Sequence, residues 1–130
     1  MSDNEYYVVR GACMRCTCGT HPRKINLPNS HGAFVNGKPM MNEGDYSPEN
    51  VPHFGICNSP EQPSAETIYL IAEDGSTISG KPCLPMLTDK WKNTKEQTKV
   101  EGLPALTTSS FQTCLYHGFI EFHTNGQQEE

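Results

Sequence analysis

The sequence predicts an all-β domain of short strands and many turns, and three observations predict it. Ten prolines, at 22, 28, 39, 48, 52, 60, 63, 82, 85 and 104, punctuate the 130-residue chain. Proline removes a helical donor and clashes with the preceding turn, at about 3 kcal/mol inside a helix. Among the proline-free windows, 86–103 (MLTDKWKNTKEQTKVEGL) is polar without a regular apolar stripe, so no long helix is expected there. The β-branched and aromatic residues, by contrast, gather in short runs bounded by glycine.

The first run, Tyr6-Tyr7-Val8-Val9, is β-prone and stops at Gly11. Residues 67–79 (TIYLIAEDGSTIS) place Asp74-Gly75 between two β-branched segments, a strong hairpin signal. Near the end, Leu115 to His123 reads as a strand with Gly118 as a candidate bulge. Residues 124–130 are a polar tail, expected to fray.

A repeat runs through this pattern. Val35-Asn36-Gly37-Lys38-Pro39-Met40-Met41, Ile78-Ser79-Gly80-Lys81-Pro82-Cys83-Leu84 and Val100-Glu101-Gly102-Leu103-Pro104-Ala105-Leu106 share one order. Each has an apolar residue, a polar one, Gly-x-Pro and two apolar residues. Glycine there suits a turn needing positive φ, and proline stiffens the chain beyond it. Three copies predict pseudo-threefold organisation within a single domain, 1–130.

Composition narrows the function. The formal net charge is -5 and no basic cluster is present, which argues against nucleic-acid binding. No apolar run approaches the ~20 residues of a membrane-spanning helix, so no stable membrane insertion is expected. The first residues lack a basic segment followed by an apolar one, so no signal peptide is expected either.

The six cysteines carry most of the chemistry. Cys13 and Cys16 make a C-x2-C spacing, with Cys18 two residues on. Cys57, Cys83 and Cys114 stand singly in turn-like settings. Without a signal peptide, clustered thiols read more naturally as metal ligands than as a disulfide framework. Thiolates are soft donors suited to tetrahedral Zn²⁺. Buried free thiols and oxidised pairs are the alternative. His53, four residues before Cys57, and His117, three after Cys114, are further candidate ligands.

The order of motifs adds a resemblance. Val9-Arg10-Gly11-Ala12 is followed by Cys16-Thr17-Cys18-Gly19-Thr20, the Gly37 unit and an acidic turn around Asp45. Val51-Pro52-His53-Phe54-Gly55-Ile56-Cys57-Asn58-Ser59 comes next. Pro82-Cys83-Leu84-Pro85, Trp91, the Gly102 unit, Cys114 and Asn125-Gly126-Gln127 complete the order. This resembles the PAAR-like family of contractile injection systems, in particular its cysteine-containing branch.

The resemblance implies a small metal-stabilised cone of short strands with approximate threefold symmetry. It implies a non-enzymatic protein sitting as a monomer on a trimeric spike, as in type VI secretion, phage tails or extracellular contraction machines. Such a tip is assembled in the cytoplasm and leaves the cell on contraction, in some cases with an effector or adaptor attached. Carried residue by residue, it implies Cys16, Cys57, Cys83 and Cys114 as ligands of structural Zn²⁺, with iron as the alternative metal. Cys18, Cys13, His53 and His117 stand in reserve. The chain departs from the family pattern in lacking a Pro-Ala-Ala-Arg signature, and Cys18 stands where relatives commonly carry an aromatic residue. Two other classes stay open: a zinc-stabilised protein-interaction adaptor, and a thiol-redox or zinc enzyme using Cys13-x-x-Cys16 or His53 with His117.

Overall fold

The computed structural model describes residues 6–60, 62–63, 65–72, 74–83, 85–115 and 118–127. The described residues contain no helix, as the proline spacing predicts. None therefore offers a helix long and apolar enough to cross a membrane. Among the described residues, ten short strands form one four-stranded sheet and three separate hairpins.

The four-stranded sheet has the order β2-β1-β10-β9, built from Arg23–Lys24, Cys13–Cys16, Phe119–Phe122 and Phe111–Thr113. Its neighbours are all antiparallel. Met14 and Cys16 of β1, with Ile120 and Phe122 of β10, turn inward onto the main core. That core also holds Val8, Ile25, Met41, Phe54, Leu106 and Trp91. Trp91 stacks on Phe122 at 4.9 Å and donates its indole N–H to the Asp45 carbonyl at 2.9 Å. The largest buried side chain thus satisfies its polar atom while it packs.

The hairpins show which sequence signals were local. Strands β3 (Phe34–Val35) and β4 (Lys38–Pro39) join through Asn36-Gly37, with φ of 53° and 76°. Strands β7 (Lys95–Val100) and β8 (Leu103–Ala105) join through Glu101-Gly102, with φ of 52° and 86°. Positive φ at both central residues makes each a turn that matches strand twist, and glycine takes the second position without strain. The Gly37 and Gly102 units are therefore structurally equivalent.

The Gly80 unit is not. Gly80 ends β6 (Thr77–Gly80) in extended backbone, paired with Ile68 of β5 (Ile68–Ile71). This β5–β6 hairpin is the one expected around Asp74-Gly75. Its connection is the longer loop 72–76, closed by Ala72 N–H to the Ser76 carbonyl at 2.8 Å and by Ser76 N–H to Asp74 Oδ1 at 2.9 Å. The expected strand from Leu115 starts only at Phe119, and Tyr116 and His117 lie outside the described residues. Strand β7 is absent from the sequence reading because KEQTKV, exposed along much of its length, has no apolar alternation to reveal it.

Three segments meet in a closed ring at the centre of the fold. Val8 N–H donates to the Leu106 carbonyl (3.0 Å), Leu106 N–H to that of Met41 (3.1 Å), and Met41 N–H to that of Val8 (3.2 Å). Bridges between Val9 and Met40, Asn42 and Ala105, and Thr107 and Tyr7 follow the same rotation. The last residue of each segment thus pairs with the first of the next. Two spokes of this ring are the apolar pairs that follow the Gly37 and Gly102 units. The third is the N-terminal run at Val8, which takes the place expected for the Gly80 unit. Val8, Met41 and Leu106 are fully buried in the main core. Their neighbours Val9, Met40 and Ala105 face the other way, into a smaller cluster with Val100 and the half-buried Tyr7, Ala33 and Val35.

Candidate functional site

Hydrogen bonding between four chain passages builds the cysteine region on the main-core side of the ring. Strand β1 delivers Cys16 opposite Ile120, and the chain then turns, with Gly19 N–H on the Cys16 carbonyl at 3.1 Å. The passage around Cys57 joins it: Gly19 bridges Cys57, and Asn58 N–H donates to the Cys18 carbonyl at 2.7 Å. The passage around Cys83 joins that in turn. Cys57 N–H reaches the Lys81 carbonyl at 2.8 Å, and Cys83 N–H the Gly55 carbonyl at 2.7 Å. On the remaining side, Cys114 N–H donates to the Gly118 carbonyl at 2.8 Å.

Gly118 itself sits in close approach to this region. A Cβ there would stand 2.6 Å from Cys16 Sγ, 3.5 Å from the Cβ of Cys114 and 3.8 Å from that of Cys18. Its glycine serves close approach to the sulfur rather than the expected bulge.

The thiols sense one another. A hydrogen bond with Cys83 is the main influence pulling the Cys16 thiol down, helped by the backbone at Cys18 and Gly19 against burial. The same bond, with burial, pushes Cys83 up. The two shifts are opposite faces of one Cys16–Cys83 contact. Burial raises Cys18, and charge on Cys16, Cys57 and Cys114 adds to it. Cys114 Sγ accepts from Met86 N–H at 3.3 Å, and a cleft of ≈ 490 Å³ opens beside it.

The sequence-predicted residues thus divide. Cys16, Cys18, Cys57, Cys83 and Cys114 are brought into one region. Cys13 is not: on the extended β1, residues three apart face opposite sides, and Cys13 lies half-buried away from the inward-facing Met14 and Cys16. The C-x2-C spacing therefore makes no paired knuckle. His53 is exposed on a groove with Arg23, Pro48 and Pro52, and His117 lies outside the described residues. Among the described residues, no group of three or more His, Cys, Asp or Glu side chains stands in a geometry that could hold a metal ion. The donor set nonetheless suits a soft cation, since it is all sulfur and Cys16 is drawn below the ordinary thiol range by its contact with Cys83.

A second polar cluster escaped the sequence reading. His31 lies between Asp45 and Glu101, with Nε2 3.0 Å from both Asp45 carboxylate oxygens and Nδ1 on Glu101 Oε2. The three residues are remote in sequence, and no spacing rule joins them.

No curated protein and no solved structure matches the chain. A family model described as a domain of unknown function, DUF4280, matches residues 8–127. With that match spanning all ten described strands and all six cysteines, the chain belongs to the DUF4280 family.

Proposed function

We propose that this protein is the tip of a contractile injection machine, a monomer capping a trimeric spike and sharpening it for puncture. The observation that carries the reading is the ring at Val8, Met41 and Leu106. A single chain that caps a threefold-symmetric partner must present three similar approaches to one axis, and this ring does so with two equivalent repeat units and the N-terminal run. On this reading the exposed Leu103, with the half-buried Tyr7 and Val35 packed against the buried Val9, Met40 and Ala105, belongs to the face that meets the spike. The order of cysteine and Gly-x-Pro motifs supports the same assignment through its PAAR-like resemblance.

On this reading Cys16, Cys57, Cys83 and Cys114 hold a structural Zn²⁺, with Cys18 nearest in reserve and iron as the alternative metal. The metal supplies cross-linking: it ties together four passages that otherwise meet through a few backbone hydrogen bonds. Structural zinc contributes an apparent ~10–16 kcal/mol in small peptides, comparable with the whole net stability of a domain this size. The chain's own part is to hold sulfurs in apolar surroundings. The protein is assembled in the cytoplasm and leaves with the spike, with an effector or adaptor as a further passenger. Co-purification with a trimeric β-helical spike, together with elemental analysis, tests the reading. A monodisperse protein that ignores such spikes and carries no metal would refute it.

A second reading, a zinc-stabilised adaptor outside any injection machine, is favoured by the β5–β6 hairpin. Tyr69 and Ile71 are 72% and 61% exposed on its outer face, beside Ser79 and Thr77. Capture of a non-spike protein that is lost on Tyr69→Ser would favour it. The redox reading has lost its dithiol, since Cys13 and Cys16 face opposite sides of β1.

A further inference from the structure

His31 lies in the loop just before β3, with its side chain largely buried and a carboxylate at each ring nitrogen. Asp45 belongs to the turn after the Met41 spoke; Glu101 is the first central residue of the β7–β8 turn. A neutral imidazole carries one N–H and one lone pair, so it can satisfy only one of these acceptors. The other would face a lone pair. Both contacts are favourable together only for the imidazolium, which donates from both nitrogens.

The carboxylates differ in their alternatives. The Asp45 side chain is buried, and its Oδ2 also accepts Asn42 N–H at 2.7 Å. The Glu101 side chain is 63% exposed. When the ring loses a proton, the remaining N–H stays on the buried acceptor, because stranding a buried carboxylate costs more than returning an exposed one to water. The other carboxylate nearby, Glu43, is held by Lys90 at 3.2 Å. Burial works against charge on His31, yet hydrogen bonds to Glu101 and Asp45 outweigh it and the ring titrates above its ordinary value.

We propose that His31 is a proton-operated clasp: as imidazolium it pins the tip of the β7–β8 hairpin to the Asn42–Asp45 turn, and on losing a proton it releases the tip through Glu101. The clasp goes beyond the spike-tip reading and stands or falls without it, on the protein alone. Asn42 also donates to the Val100 carbonyl at 3.0 Å, so the released part is confined to the turn beyond Val100.

An NMR titration of the whole chain tests it, following the His31 ring and the Gly102 amide. The expected result is a His31 midpoint above 6.5, with the Gly102 amide shift following the same midpoint. In Glu101→Gln, at an exposed turn where folding is not at stake, the His31 midpoint falls and Gly102 stops reporting it. In His31→Gln the Gly102 amide is flat across the same range. A wild-type midpoint at or below 6.5, an unchanged midpoint in Glu101→Gln, or an unaltered Gly102 titration in His31→Gln would each overturn the clasp.

Discussion

The sulfur of Cys16 stands 2.6 Å from the point where a side chain on Gly118 would begin. Cys16 ends β1, while Gly118 immediately precedes β10. Gly118→Ala should cost about 1–3 kcal/mol, the usual penalty for overpacking a tight interior. Its φ is not in the left-handed region, so the loss would report the sulfur contact and not backbone strain. Denaturant unfolding of the variant measures it, and an unchanged midpoint would mean that Cys16 has room to turn away.

The proposed ligands can be separated from the other thiols. Under the proposed zinc site, Cys→Ser at 16, 57, 83 or 114 should abolish metal binding and lower stability by several kcal/mol, since breaking one ligand bond weakens a shared cross-link. Cys13→Ser should leave metal content unchanged, because Cys13 faces away from the cluster. Elemental analysis beside thermal melting decides between these outcomes. Retained metal in Cys57→Ser would point to Cys18 as a ligand.

Leu106→Ala should cost about 2–5 kcal/mol, because its side chain is fully buried and a cavity would remain. Met41→Ala should fall in the same range. The two residues are joined through the backbone ring, so the double variant is expected to depart from additivity by about 0.5–3 kcal/mol. A double-mutant cycle by urea unfolding checks this, and strict additivity would argue that the spokes act independently.

Gly37→Ala is a different kind of test. Nothing lies within 4 Å of a Cβ at Gly37, yet its φ is 76°. An L-residue there should lose roughly 1–2 kcal/mol through backbone strain alone. Gly37→Asn should recover part of that loss, since asparagine tolerates the left-handed region better than alanine. Equal stability of all three proteins would show that the β3–β4 turn is free to change type.

The pH dependence of stability follows from His31. Its folded-state value is raised above the ordinary 6.5, with burial opposing and the Glu101 and Asp45 hydrogen bonds prevailing. The stabilisation is therefore complete below pH 6.5 and is lost as pH rises through the higher folded-state value. Wild-type protein should lose more melting temperature than His31→Gln between these limits. Parallel melting curves for the two proteins would contradict the sign.

Much of the local backbone was legible. Prolines ruled out long helices, and Gly37 and Gly102 marked turns needing positive φ, although the hairpins built on those turns emerged only in the structure. The β5–β6 hairpin was visible from Asp74-Gly75, although its loop proved longer. Strand β7 was hidden, because its partner β8 and its solvated outer face leave no apolar alternation in KEQTKV.

By itself, then, the sequence determined what depends on neighbours along the chain: the absence of helices, the places of the turns and the pool of sulfur donors. Only the tertiary structure decided that Val8, and not the Gly80 unit, completes the ring. It alone turned Cys13 away from Cys16 and set His31 between Asp45 and Glu101. The physical reason is the same in each case. Turn chemistry is settled by the dihedral preferences of one or two residues, whereas partners across the fold are chosen by long-range pairing and packing, whose loop-closure cost changes slowly with separation and leaves no periodic trace in the sequence.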